Sequence, residues 1–119
     1  MKSSTPVKDE KILNILEELK GSMSVIFGAK LKKMILFGSY ARNEADAESD
    51  IDILLLIDED QERIKQYHDL IVNVMVDYSL KYNMVISIIE QEYKQYKKYK
   101  EFVPFYAAID NEGVEFYAG

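Results

Sequence analysis

The chain contains no cysteine and no tryptophan. Without cysteine it can form neither disulfides nor thiolate ligands for a soft metal. Two prolines and five glycines in 119 residues leave no Pro/Gly-rich stretch at which to divide it. A single histidine, His68, cannot build a histidine metal centre by itself. Long apolar runs are missing too. The longest, Ile53 to Ile57, is far below the roughly 20 residues that cross a bilayer. The opening segment MKSSTPVKDE has no apolar stretch of the kind a signal peptide carries. Basic charge is in the minority, with 15 Lys and Arg against 21 Asp and Glu, a net −6. That balance disfavours a stand-alone nucleic-acid binder, which normally shows a basic face. The expectation is one soluble, cytoplasmic domain spanning residues 1–119, with no membrane contact and nucleic acid a disfavoured partner.

Apolar periodicity organises what is present. Thr5-Pro6 reads as a helix start, and Ile12, Ile15, Leu16, Leu19, Met23, Ile26 and Phe27 follow helical spacing up to Gly28. Gly21 falls in the middle of that pattern. Leu31 to Phe37 reads as a strand, Gly38 to Ala41 as a turn that can open a short helix, and Asn43 to Glu48 as an exposed loop. Asp50 to Ile57 is the clearest strand. Both of its faces turn apolar past Asp52, so it should be covered on both sides. Asp58 to Asp60 can start a helix with the stripe Ile64, Tyr67, Ile71, Val74, Met75 and Tyr78, which places His68 mid-helix. A third strand is expected over Met84 to Ile89, and a helix over Glu90 to Tyr99. A last helix should run from Pro104 to Gly113, with a short strand over Val114 to Tyr117. Alternating strands and helices imply an α/β (α+β) domain with helices packed on a sheet.

The segment GSYARNEADAESDID, Gly38 to Asp52, concentrates the chemistry. Side chains two apart on a strand point the same way, so Asp50 and Asp52 should project together. Two converging carboxylates repel unless a cation lies between them. An all-oxygen ligand set favours Mg²⁺ or Mn²⁺, which completes its shell with water and phosphates. Gly38 lets backbone approach a phosphate closely, and a helix starting at Ser39 would favour an anion. Arg42 offers either a fork of donors to phosphate or an ordinary exposed arginine. Ser49 reads first as a turn or capping residue.

Gly38-Ser39, Ala41-Arg42 and Ser49-Asp50-Ile51-Asp52, set between two apolar strands, resemble the signature of the DNA polymerase β-like nucleotidyltransferase superfamily in its minimal (MNT-type) branch. A weaker similarity extends along the chain to the stretch from Pro104 to Tyr117. The resemblance implies a polymerase β-like fold with a small mixed sheet. It implies transfer of a nucleoside monophosphate from a triphosphate, with ATP expected, to an acceptor hydroxyl. Asp50 and Asp52 would be catalytic and hold Mg²⁺, while Gly38, Ser39, Arg42 and Ser49 would contact the nucleotide. It also implies a HEPN-type toxin as partner, with this chain as antitoxin and a toxin tyrosine as acceptor of AMP.

The chain departs from that pattern twice. Asn43 stands where the family often has glycine. Ser87 falls where active members carry a third carboxylate, and serine is neither an anionic ligand nor a base at neutral pH. Glu90 differs in parity from Ser87, and Asp77 lies in the preceding helix, so neither is an obvious substitute. A binding module of the same fold that does not catalyse therefore stays open. The helix carrying Tyr93, Tyr96 and Tyr99 among Lys94, Lys97, Lys98 and Lys100 has two readings. It either lays tyrosines on the sheet with lysines in water, or stacks single-stranded RNA.

Overall fold

A computed structural model of the chain describes residues 9–119. Helix α1 covers Glu10–Phe27 and is capped by Asp9, whose side chain accepts from the amides of Lys11 and Ile12. Such a cap is worth about 1 kcal/mol. The expected start at Thr5-Pro6 lies outside the described residues. Ile12, Ile15, Leu19 and Met23 are fully buried along one stripe, and Gly21 sits on the exposed side without breaking the helix. Each such aliphatic side chain contributes about 1.5–3 kcal/mol by leaving water. Gly28 ends the helix with φ 54°, a conformation open to glycine.

Four strands form one mixed sheet: β1 (Leu31–Phe37), β2 (Ile51–Ile57), β3 (Ile86–Glu92) and β4 (Val114–Ala118), in the order β3-β2-β1-β4. β1 pairs antiparallel with β2 and with β4, while β2 and β3 run parallel. A parallel pair needs a long crossover. Helices α2 (Gln61–Gln66) and α3 (His68–Tyr82) supply it. The sequence suggested one helix here; Tyr67 interrupts it, and His68 opens α3 instead of lying mid-helix.

The sheet is covered on both faces. Ile51, Ile53, Leu55 and Ile57 face α1, α2 and α3, together with Met34 and Leu36. Leu54, Leu56 and Ile35 face the other way, against α4 (Tyr93–Tyr99) and α5 (Pro104–Glu112) through Tyr96 and Ile109. The alternation expected along β2 is thus realised. Several boundaries differ: β3 starts at Ile86 instead of Met84, and β4 runs one residue further, to Ala118. β3 reaches Glu92, so the expected helix at Glu90 begins only at Tyr93. β3 is an edge strand whose later residues are half-buried, and polar side chains there hide its extent. β2 begins at Ile51, which leaves Asp50 just outside it. Among the described residues, no helix is long and apolar enough to cross a membrane.

Candidate active site

Strand pairing brings the two halves of the motif together. Phe37, the last residue of β1, pairs with Asp52 near the start of β2. Gly38 follows with φ 76°. A Cβ at Gly38 would lie 2.5 Å from the Asp52 Oδ2 atom. Glycine is therefore favoured twice, for its left-handed backbone and because a side chain here would displace the carboxylate.

Beyond Gly38 the chain makes one tight turn. The Gly38 carbonyl accepts from the amides of Ala41 and Arg42 at 3.1 and 3.2 Å, and the Ser39 carbonyl accepts from Glu44 at 2.9 Å. No helix starts at Ser39; the expected N-terminal dipole is replaced by this single turn. The turn uses the amides of Ala41 to Glu44 for its own bonds and leaves those of Ser39 and Tyr40 outside that set. Asn43 closes it with φ 57°, a left-handed position that asparagine tolerates better than most residues.

Asp52 is half-buried. Burial raises its pKa above the ordinary carboxylate value, and the charge of Asp50 raises it further. The two acids are thus near enough to repel. Among the described residues no group of three or more His, Cys, Asp or Glu side chains could hold a metal. Asp50 and Asp52 offer only oxygen donors, the kind a hard ion with a largely water and phosphate shell takes. In the parallel ladder Ser87 lies directly beside Asp52. Glu90 turns to the opposite face, where its carboxylate meets the Nδ1 of His68 at 2.9 Å.

The remaining expected contacts are engaged elsewhere. The Arg42 guanidinium donates to Glu44 at 3.1 Å and, 70 residues along the chain, to Glu112 at 3.5 Å. The Ser49 hydroxyl accepts from the Asp46 amide at 3.0 Å and donates to the Asp46 carboxylate at 3.3 Å, closing a turn before β2. One cavity touches Asp50, and a second lies on the turn at Gly38. The first, of about 340 Å³, is lined by Ser49, Asp50, Asn83 and Val85. The second, of about 110 Å³, runs from Gly38 and Arg42 to Phe37, Phe105 and Glu112. Sequence reading missed Phe105 and Glu112, because only the return of α5 across β1 brings them to the turn.

Residues 10–106 match the nucleotidyltransferase domain family. A Methanocaldococcus jannaschii protein, provisionally named a protein adenylyltransferase, is 40% identical over 105 residues, 88% of this chain and 98% of that one. A second protein of that organism with the same provisional name is 37% identical over 78 residues, 65% of this chain and 71% of its own. The fold resembles the crystal structure of a toxin-antitoxin with AMP-PNP, at TM-score 0.53 and 16% identity, over 94% of this chain and 74% of that one. It also resembles a mutant of the toxin-antitoxin MntA-HpeT, at TM-score 0.50 and 16% identity, over 96% and 75% of the two chains. At these identities the likeness is one of fold.

Proposed function

The chain belongs to the nucleotidyltransferase domain family, and from that premise we propose that it moves AMP from ATP to a hydroxyl of a partner protein. The observation that carries this reading is the seating of Gly38 against Asp52, which sets the motif's turn and its carboxylate side by side. The adenylyltransferase names of the relatives and the AMP-PNP of the structural neighbour support ATP as donor.

Asp50 and Asp52 would hold Mg²⁺ or Mn²⁺. The pair fits, because the half-buried Asp52, with the charge of Asp50 acting on it, leaves negative charge uncompensated beside an open turn. When bound, the ion would stabilise charge on the reacting phosphate and the leaving pyrophosphate. The chain's own groups do the rest. Free amides at the Gly38-Ser39 turn and the Ser39 hydroxyl would bind the β- and γ-phosphates. Arg42 would exchange an exposed glutamate for phosphate, and Ser49 would shape the loop that delivers Asp50. The acceptor oxygen bonds to the α-phosphorus, the bond to pyrophosphate breaks, and the hydroxyl proton leaves. Ser87 cannot take that proton at neutral pH, so water or one of the aspartates must.

The toxin-antitoxin neighbours support a toxin as partner; on the resemblance carried by the Gly38 to Asp52 motif, we propose that it is of the HEPN type, that one of its tyrosines is the acceptor, and that this chain is the antitoxin of a cytoplasmic pair. Incubation with α-labelled ATP, Mg²⁺ and that partner tests the reading. Label should pass to the partner and be lost with Asp52→Asn; absence of label in the wild-type reaction refutes it. A second reading, a nucleotide- or partner-binding module without turnover, is favoured by one observation, the serine beside Asp52. Calorimetric binding of nucleotide with no label transfer would support it.

A further inference from the structure

We propose that α4 and the turn after it form the docking surface for an acidic segment of the acceptor protein. This rests on the transfer reading above and adds the chemistry the acceptor must carry. Between Tyr93 and Lys100 the chain has four lysines and no acid, although its net charge is −6. Lys94 and Lys100 reach Asp58 and Asp110 at 4.0 and 3.6 Å. Lys97 and Lys98 instead lie over tyrosine rings, 4.8 Å from the centre of Tyr93 and 5.3 Å from that of Tyr99. Among the described residues no acid forms an ion pair with these two lysines, so positive charge is held at the surface.

Exposed aromatic surface adjoins it. The Phe102 amide bonds back to the Tyr99 carbonyl at 2.9 Å, so the chain folds tightly after α4. Phe102 is 77% exposed and Tyr99 39%. Glu101 is the one acid in the turn. A phenyl ring beside unneutralised lysines suits an apolar anchor flanked by carboxylates. The turn ends where α5 begins at Pro104, next to a residue that touches β1. Phe105 meets Phe37 edge-on at 5.6 Å, and Phe37 pairs with Asp52.

A protein suits this surface better than RNA. α4 has seven residues and so is about 10 Å long, room for only a few phosphates. A strand extending past it meets an acidic molecule. Stacking needs successive free rings, but Tyr96, the middle one, is buried against Tyr106.

Fluorescence anisotropy of the full chain, in EDTA and without nucleotide, tests the proposal with three labelled probes: a Glu/Tyr copolymer, a Lys/Tyr copolymer and oligouridylate. The Glu/Tyr copolymer should bind best and weaken with salt. Lys97→Glu with Lys98→Glu should weaken it about tenfold, as should Phe102→Ser. The milder Lys97→Ala with Lys98→Ala, checked by circular dichroism, guards against misfolding and should shift binding the same way. Asp52→Asn should leave probe binding intact while label transfer is lost, so failure of docking and failure of transfer read out separately. No binding, binding indifferent to these lysines, or preference for oligouridylate overturns the proposal.

Discussion

Ser87 and Asp52 are neighbours in the parallel ladder of β2 and β3, with Ser87 at the place from which a third acid would face the same cleft. Ser87→Asp should therefore gather three carboxylates where two stand now. Without divalent ions the variant should melt about 4 °C lower, because like charges crowd one half-buried spot. With Mg²⁺ the loss should be recovered, and label transfer should rise about tenfold or more. Melting curves in EDTA and in Mg²⁺, alongside the transfer assay, check both effects.

Asp50→Asn and Asp52→Asn should each reduce transfer about a hundredfold or more. Asp52→Asn should also stabilise the metal-free chain, since it removes a carboxylate that burial and Asp50 both disfavour in ionised form. Urea unfolding in EDTA, paired with the transfer assay, separates the two consequences. Lower stability together with lower transfer would mean that Asp52 is structural.

Gly38→Ala should be costly at a position that looks innocuous in sequence. The methyl group would collide with the Asp52 carboxylate, and φ 76° is strained for any side chain. A loss of about 1–3 kcal/mol in urea unfolding is expected, together with loss of ATP binding by calorimetry. Gly21→Ala is the control, since a Cβ there meets nothing within 4 Å. It should be neutral or slightly stabilising.

His68 gives a clean pH readout because it is the chain's only histidine. Its hydrogen bond to Glu90, and then the charge of that carboxylate, raise its pKa above the ordinary 6.5. A raised histidine adds stability that is complete below 6.5 and is lost as pH climbs through the folded value. NMR titration should show a midpoint above 6.5 that falls back in Glu90→Gln. An unchanged midpoint in that variant would remove Glu90 as the cause.

Local signals carried the architecture furthest. The alternation along Ile51 to Ile57 and the apolar run of Leu31 to Phe37 specify strands through nearest neighbours alone, and both strands form as expected. Gly38 beside Asp52 was legible for the same reason, since it needs only two flanking strands and one return. What escaped were long-range choices. Arg42 meets Glu112 across 70 residues, so its electrostatic partner has no signature near position 42. β3 continues through Glu90-Gln91-Glu92 because β2 offers a ladder to pair with, and that overrides the polar character which suggested a helix. The break at Tyr67 is equally silent, for its ring packs on Phe27 at 4.9 Å and so completes the expected apolar stripe.

β1 and β2 are the two interior strands of the sheet, so the glycine and the aspartate that face each other are anchored on a seam with strands on either side. Between them residues 45–48 make a mostly exposed excursion, after the turn that ends at Glu44 and before Ser49 and Asp50. Lengthening or shortening this excursion costs little in closure entropy and leaves the anchoring ladder intact. The fold can therefore remodel the mouth of its cleft, and with it the range of molecules admitted, while the chemistry at the base stays fixed.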